Sequence, residues 1–165
     1  MPATLRKRGL VALPVLLVAA LFTSLFATTS TASAATREHT IQHGLNIARN
    51  QKGDPYHYGS AGPGRFDCSG LVYYSYRHAG FGHVPRTASA QAHFMTRISR
   101  SHLRPGDFVF FYSGAAKARN VYHAGVYDGM RNGHRTVMHA PHSGARVHRE
   151  AIWTNKWFAG TLRGK

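Results

Sequence analysis

The sequence predicts an α+β fold in which helices come first and an antiparallel sheet follows. Three observations support this prediction. Before residue 95, apolar residues recur at helical spacing in separate segments. A continuous apolar run, residues 107–112, then follows a Pro-Gly pair, which is typical of a buried strand. Two further apolar segments, 122–127 and 135–140, are separated by turn residues, as the strands of a hairpin are.

The N-terminal segment predicts an export signal. Residues 6–8 are basic, residues 9–26 are mostly apolar, and residues 32–34 form the small-x-small pattern that a signal peptidase accepts. We therefore predict that residues 1–34 are a cleaved signal peptide and that residues 35–165 form a single domain. A retained membrane anchor is the alternative, since the apolar stretch approaches spanning length, although polar residues and a proline interrupt it.

The composition of the predicted mature domain points to anionic partners. The chain has 21 Lys and Arg against 6 Asp and Glu, and removing the three basic residues of the leader leaves a formal charge of +12 with histidine neutral. Such a charge favours polyanions, and an exported protein meets the phosphates and carboxylates of a cell envelope. The basic residues are scattered, which argues against specific nucleic-acid binding. General solubility is the alternative explanation.

Three helices are predicted in the first half of this domain. The first covers Glu38–Gln51 and ends before a Gly-Asp-Pro sequence. The second covers Cys68–His78, where Asp67 is a suitable N-cap and a following glycine is a suitable C-terminal stop. Thr87 is placed to cap a short third helix.

The second half of the domain predicts four strands, over residues 107–112, 122–127, 135–140 and 157–159. The second and third of these are joined by a turn that contains Asp128-Gly129 and Asn132-Gly133. A helix-then-strand order of this kind is typical of α+β domains with an antiparallel sheet.

Cys68 is the only cysteine of the chain. An exported domain with one thiol cannot form an internal disulfide, so Cys68 is a reactive group, an intermolecular link or an inert buried side chain. At the first turn of its helix, unpaired amides and the positive end of the helix dipole are expected to stabilise the nucleophilic thiolate. The polar neighbours Asp67 and Ser69 favour the reactive interpretation.

A thiol nucleophile needs a base, and the hairpin offers one. If its strands pair without a bulge around Arg131, His123 is directly opposite His139 on the same face. His123 could then take the thiol proton while His139 holds the imidazole in the useful tautomer. Surface histidines are the alternative. A metal site with His139 and His142 is a further alternative, but without a second cysteine and with few carboxylates its ligand set is incomplete, so no metal is predicted.

The chain resembles the NlpC-type cysteine endopeptidases, papain-like hydrolases of bacterial cell-wall peptides, in six segments that follow the family's order: YHYG, GRFDCSGLV, VPRTASAQ, LRPGDFVFF, HAGVYDG and VMHAPHSG. The resemblance covers about residues 45–163 and so most of the predicted catalytic domain. It implies a papain-like fold in which N-terminal helices pack on a central antiparallel sheet. It also implies that Cys68 is the nucleophile, His123 the base and His139 the orienting residue.

The same resemblance implies roles in substrate binding. Tyr56 matches a tyrosine whose hydroxyl lies beside the reacting carbonyl and helps to hold the oxyanion. Asp67 and Ser69 match positions that help to bind the free amine end of a short stem peptide. Arg86 and Ser89 match the segment that lines the same subsite. A packed aromatic residue, a helix cap and a solvated charge are the alternatives for Tyr56, Asp67 and Arg86.

The resemblance therefore implies a secreted, cell-wall-associated bacterial cysteine peptidase. It would cleave peptidoglycan stem peptides between D-glutamate and a diamino acid, meso-diaminopimelate or lysine, through a Cys-His-His triad and a thioester acyl-enzyme. We expect a monomer that uses no cofactor, binds anionic cell-wall polymers by charge, and keeps no membrane anchor after signal cleavage. The alternatives are an N-acetylmuramoyl-L-alanine amidase or an acyltransferase with the same triad, and a non-catalytic cationic wall-binding or antimicrobial protein.

Overall fold

The structure, a computed structural model, describes residues 15–165, with side chains from residue 32 onward. Contacts divide the chain into two units, Met1–Ala35 and Thr36–Lys165. The basic residues 6–8 and the start of the apolar segment, which belong to the predicted signal peptide, lie outside the described residues. Among residues 15–165, no helix combines the length and the apolar character needed to cross a membrane.

Three α-helices occur in the described part of the chain: α1 (Val15–Asn50), α2 (Cys68–Ala79) and α3 (Ala88–Phe94). Asp67 caps α2 by accepting a hydrogen bond from the Gly70 amide, and Gly80 ends it in the left-handed conformation at φ 117°. Thr87 caps α3 by accepting from the Ala90 amide. These caps confirm the predicted starts of α2 and α3, whereas α1 begins earlier than predicted.

Six strands of the described chain form one antiparallel sheet. They are β1 (Thr96–Ile98), β2 (Phe108–Tyr112), β3 (Val121–Arg131), β4 (His134–His139), β5 (His148–Ala151) and β6 (Trp157–Thr161). Their order across the sheet is β1-β6-β2-β3-β4-β5. The four predicted strands are confirmed as β2, β3, β4 and β6. Strands β1 and β5 were not predicted, because short edge strands need little apolar character and these two have little.

The central strand β2 is buried on both faces. By strand alternation, Phe108 and Phe110 point to one face, where they pack with residues of the helices such as Leu71. Val109 and Phe111 point to the other face and join a smaller cluster of strand side chains. Burial on both sides explains why the segment reads as a continuous apolar run rather than as an alternating one.

The β3–β4 hairpin turns at Asn132-Gly133, whose φ angles of 50° and 77° lie in the left-handed region that such turns require. The Asp128-Gly129 pair, predicted to belong to the same turn, lies instead within β3. A register shift occurs there, between Tyr127 and Gly129. Strand β3 therefore carries a bulge and extends further than predicted.

This bulge changes which residues face each other near the end of β4. Val126 pairs with Met138, and the same register places Gly125, not His123, opposite His139. The prediction that the two histidines are directly opposed is therefore wrong, because it centred the hairpin on Arg131 without a bulge, whereas the turn is centred between Asn132 and Gly133 and the bulge shifts the register by one residue. The displacement is two residues, an even number, so both histidines still lie on the same face of the sheet.

Arg163, just after β6, anchors α1 to the end of the sheet. Its guanidinium donates to both carboxylate oxygens of Glu38, at 2.6 and 2.8 Å, and to the buried carboxylate of Asp107. The hydrogen bond from Arg163 lowers the pKa of Glu38 to about 2 from an ordinary 4.5. The folded state therefore favours the ionised form of Glu38.

We expect Glu38→Gln to lower the free energy of unfolding by about 1 kcal/mol above pH 5, a modest amount because the pair is partly exposed. Because the folded carboxyl has the lower pKa, this stabilisation is complete above about pH 4.5 and is lost as the pH falls toward 2. Urea unfolding of wild type and variant at pH 6 and pH 3 measures the difference, which should shrink at pH 3.

Asp54→Asn is the matched control, since Asp54 has no ion pair within the described residues. Its effect on the free energy of unfolding should change less between the two pH values. A Glu38→Gln difference that stays constant from pH 6 to pH 3 would contradict the proposed contribution of the ion pair.

Candidate active site

Cys68 begins α2 where the helix meets the loop before it. Asp67 accepts from the Gly70 amide at 2.7 Å, which satisfies one of the free donors at the helix start. A Cβ atom on Gly70 would lie 2.0 Å from the carbonyl oxygen of Ser60, so only glycine allows this close approach. The tip of α2 is thereby held against the loop, with Cys68 half-buried at its end.

Burial raises the pKa of the Cys68 thiol above its usual value. Backbone N–H groups of Ala124, Ser69 and Cys68 itself act in the opposite direction but do not outweigh desolvation. The prediction that the helix start lowers this pKa and stabilises the thiolate is therefore wrong for the free protein. Cys68 needs a neighbouring base to give up its proton.

His123 and His139 form a buried pair. Their rings meet edge to face at a centroid distance of 5.1 Å, and Nε2 of His123 lies 2.9 Å from Nδ1 of His139. Desolvation lowers the pKa of His123 to about 3. Desolvation also lowers the pKa of His139, although the neighbouring Glu150 acts against it. Both imidazoles are therefore neutral at pH 7, and each carries one ring proton.

The position of each ring proton follows from Glu150. Its carboxylate only accepts hydrogen bonds, and Oε2 lies 3.0 Å from Nε2 of His139, so that nitrogen carries the proton. Nδ1 of His139 is then an acceptor, and Nε2 of His123 must donate to it. This leaves Nδ1 of His123 with a free lone pair. His123 and Cys68 line the same cavity, so a neutral imidazole with a free lone pair shares that cavity with the thiol.

Gly125 allows the two strands to bring the histidines together. A Cβ atom at this position would lie 2.4 Å from Cγ2 of Val137 and 3.1 Å from Cβ of His139. Any side chain would therefore push β4 away from β3 at the level of the histidine pair. Close packing of β3 on β4 therefore explains the glycine of the His-Ala-Gly segment, which follows His123 by two residues.

The site lies between two cavities whose walls share Tyr56, Cys68 and Tyr122. The first has a volume of about 540 Å³ and is also lined by the histidine pair. The second has a volume of about 480 Å³. Its further lining includes the predicted binding residues Asp67, Ser69, Arg86 and Ser89. An extended ligand could therefore cross Cys68 with one part in each cavity.

Asp67 and Arg86 form a bidentate ion pair in the second cavity. The guanidinium donates to both oxygens of Asp67, at 3.0 and 2.6 Å, and to the hydroxyl of Ser69 at 3.1 Å. Backbone amides of Gly70 and Gly59 donate to the same carboxylate. Both oxygens of Asp67 are thus engaged within the protein. An incoming amine would have to share them with Arg86.

Tyr56 is half-buried beside Cys68, and it lines both cavities. Desolvation raises the pKa of its hydroxyl, and the nearby Cys68 adds to this effect. The hydroxyl therefore stays protonated at neutral pH and is able to donate a hydrogen bond to a ligand in the cavities that it lines.

Two residues of this site, Glu150 and Trp153, were not predicted from the sequence. Trp153 stacks on Phe111 at a centroid distance of 4.2 Å and lies 5.3 Å from the ring of His139, so it covers one side of the pair. The His-Arg-Glu alternation at 148–150 was the available signal for Glu150. The signal was weak, because β5 itself was not predicted.

Comparisons with known proteins identify relatives of this chain. The model of the NlpC/P60 family matches residues 53–163. A probable endopeptidase of Corynebacterium glutamicum is 43% identical over 112 residues, which are 68% of this chain and 48% of that protein. The chain therefore spans about half the length of this curated relative.

Solved structures give the same result. The NlpC/p60 domain of the peptidoglycan hydrolase SagA is 27% identical, with a TM-score of 0.63 over 74% of this chain and 98% of that one. RipD of Mycobacterium tuberculosis, described as a non-catalytic NlpC/p60 domain protein adapted to peptidoglycan binding, shares the fold at 19% identity. Its TM-score is 0.61 over 74% of this chain and 97% of that one. Both catalytic and non-catalytic proteins thus have this fold.

We expect Gly125→Ala to lower the free energy of unfolding by about 1–3 kcal/mol, because the added methyl group overpacks the β3–β4 contact. Urea unfolding measures the loss, and histidine ring signals in NMR spectra report whether the pair is disturbed. Gly82→Ala is the matched control, since no atom lies within 4 Å of a Cβ there. Equal effects of the two substitutions would contradict the packing role of Gly125.

Proposed function

The chain belongs to the NlpC/P60 family, and on that basis we propose that it is a secreted cysteine peptidase that hydrolyses peptidoglycan stem peptides. The observation that carries this proposal is the directed hydrogen-bond chain from Glu150 through His139 to His123. It ends in the cavity that Cys68 also lines. Surface histidines of a basic domain would not be expected to be buried, neutral and oriented in this way.

The proposed reaction is acyl transfer to sulfur. Nδ1 of His123 takes the proton of the Cys68 thiol while the sulfur attacks the carbonyl carbon of the peptide bond. The carbonyl oxygen becomes an oxyanion, and its collapse expels the amine, which receives the proton from His123. A thioester acyl-enzyme remains. Water, deprotonated by His123, then releases the carboxylic acid and restores the thiol.

His139 and Glu150 support this base. While His123 holds the extra proton, its Nε2–H still donates to His139, and the carboxylate beyond stabilises the charged ring. We propose that His139 orients the base and that Glu150 is a positioning residue acting through His139. The backbone N–H of Cys68 and the hydroxyl of Tyr56 are the proposed donors to the oxyanion.

We propose that the cleaved bond joins D-glutamate to a diamino acid, either meso-diaminopimelate or lysine. The two cavities that meet at Cys68 support cleavage within a peptide, with the acyl part beside Asp67, Ser69, Arg86 and Ser89 and the amine part beside Trp153. Because Arg86 occupies the carboxylate of Asp67, a free amine end would bind there by sharing that carboxylate.

We propose that residues 1–34 are removed on export and that the remaining basic domain works at the cell wall as a monomer. Its positive charge would concentrate it on anionic wall polymers. An amidase or acyltransferase would use the same triad on another bond or acceptor. A non-catalytic wall-binding protein is the further alternative, and the presence of Cys68, His123 and His139 together favours catalysis over it.

We expect Cys68→Ala to reduce peptidoglycan cleavage to background while the fold and wall association stay near normal, because the substitution removes the nucleophile alone. Mass spectrometry of fragments from purified peptidoglycan, digested with wild type and variant side by side, identifies the cleaved bond. Fragments ending in D-glutamate are the expected product. Fragments cut between muramic acid and L-alanine would indicate the amidase, and equal digestion by both proteins would exclude the proposed nucleophile.

We expect Glu150→Ala to lower kcat by about 10-fold or more with little change in KM, because His139 loses the acceptor that sets its tautomer. Glu150→Gln should keep more of the rate, since an amide oxygen can still accept from Nε2 of His139. Steady-state kinetics on a defined stem peptide measures both. If alanine and glutamine variants match wild type, Glu150 has no role in orienting the base.

A further inference from the structure

A second group of side chains shares His139 with the proposed active site. His139 on β4 is directly opposite His148 on the edge strand β5, and Glu150 follows two residues later on the same face. Oε2 of Glu150 lies 3.0 Å from Nε2 of His139 and 3.3 Å from Nε2 of His148. One ligand atom from each of the three residues lies within 4.8 Å of the others.

The contacts of His148 leave room for a cation between its ring and Glu150. Nδ1 of His148 lies 2.7 Å from the carbonyl oxygen of Arg146, an atom that only accepts, so Nδ1 carries a proton. In a neutral ring, Nε2 then has a bare lone pair that faces the carboxylate of Glu150. Two acceptors at this distance attract each other only if a second ring proton or a metal ion lies between them.

We propose that His139, His148 and Glu150 bind a divalent transition-metal ion, with Zn²⁺ as the best fit. Two imidazoles and one carboxylate are a common zinc set. The two contacts of Glu150, at 3.0 and 3.3 Å, are close to the spacing of about 3.3 Å between ligand atoms in a tetrahedral site with bonds of about 2.0 Å. The ring N–H of His148 that donates to a backbone carbonyl is the usual outer partner of a metal-binding histidine.

The three side chains differ in burial, and this difference suits a metal site. The side chain of His139 is fully buried and so fixed, whereas those of His148 and Glu150 are 40% and 41% exposed and can adjust around an ion. All three line the first cavity, so an ion can enter from solvent. The sequence-based expectation of no metal considered only His139 with His142, because β5 was not recognised.

Metal binding at this site would reverse the direction of the hydrogen bond between His139 and His123. The effect on catalysis rests on the proposed function. An ion on Nε2 of His139 displaces the proton from that atom, and the neutral ring carries it on Nδ1 instead. Nδ1–H then donates to Nε2 of His123, whose own proton must move to its Nδ1. That atom is the proposed base, so the ion removes the lone pair that would accept the thiol proton.

The binding test uses Cys68→Ala protein, which excludes zinc bound at the thiol. Titration calorimetry with ZnCl₂ should give one site per chain. Adding His148→Gln should weaken the Kd at least 10-fold, while adding His142→Gln, a nearby histidine on the same cavity, should change it less than about 2-fold. Thermal unfolding verifies that each variant is folded. His148→Asn is a second variant that removes the imidazole ligand.

The functional test uses protein with Cys68 intact and a stem-peptide assay. Zn²⁺ should inhibit reversibly, with recovery in EDTA, and His148→Gln, measured relative to its own zinc-free rate, should shift the inhibiting concentration upward by the factor measured for binding. Binding that is absent in Cys68→Ala protein, or that His148→Gln leaves unchanged, overturns the metal site.

The two proposals fail in different ways. If zinc binds as expected but His148→Gln does not shift inhibition, the coupling between the ion and His123 is overturned. If the wild-type protein cleaves no peptidoglycan, the proposed function fails, while the calorimetric result still decides whether the metal site exists.

Discussion

The site depends on one direction of hydrogen bonding through Glu150, His139 and His123. A carboxylate at one end only accepts, so each neutral ring has a single possible tautomer, and the chain ends in a free lone pair on His123. Burial is what makes this assignment definite, because it lowers the pKa of both rings and keeps them neutral. In water the same rings would exchange tautomers and protonation states freely.

The strand register of the sheet brings the residues of this hydrogen-bond chain together. The turn at Asn132-Gly133 and a one-residue bulge in β3 together set a register in which Gly125, rather than His123, lies opposite His139. The absent side chain of Gly125 gives the strands the close contact that lets His123 reach His139 diagonally. The next strand then adds His148 and Glu150 on the same face. Three consecutive strands of the sheet thus contribute to one hydrogen-bond network.

The thiol of Cys68 and the proposed base His123 are both neutral in the free protein. Desolvation raises the pKa of Cys68 and lowers that of His123, so both charged forms are disfavoured before a ligand arrives. In the proposed reaction, a proton transfer from sulfur to nitrogen would therefore accompany attack on the carbonyl, as general-base catalysis requires. His139 belongs both to the histidine pair and to the proposed metal site. An ion bound to His139 would therefore change the proton position on His123 without contacting His123.

The sequence by itself determined the local features of this protein. The caps Asp67 and Thr87, the helix that begins at Cys68 and the buried run of β2 follow from residue types within a few positions, and all were predicted. The fold class and the family followed from motifs that carry the same local information.

The tertiary structure alone decided the partners of the histidines and the protonation of the thiol. The register of β3 on β4 depends on a bulge, and the place of Glu150 depends on a short edge strand with few apolar residues. The helix start predicted a lower pKa for Cys68, but desolvation by the surrounding chain is the larger effect. Burial and strand pairing involve residues far apart in the chain, so local sequence patterns do not specify them.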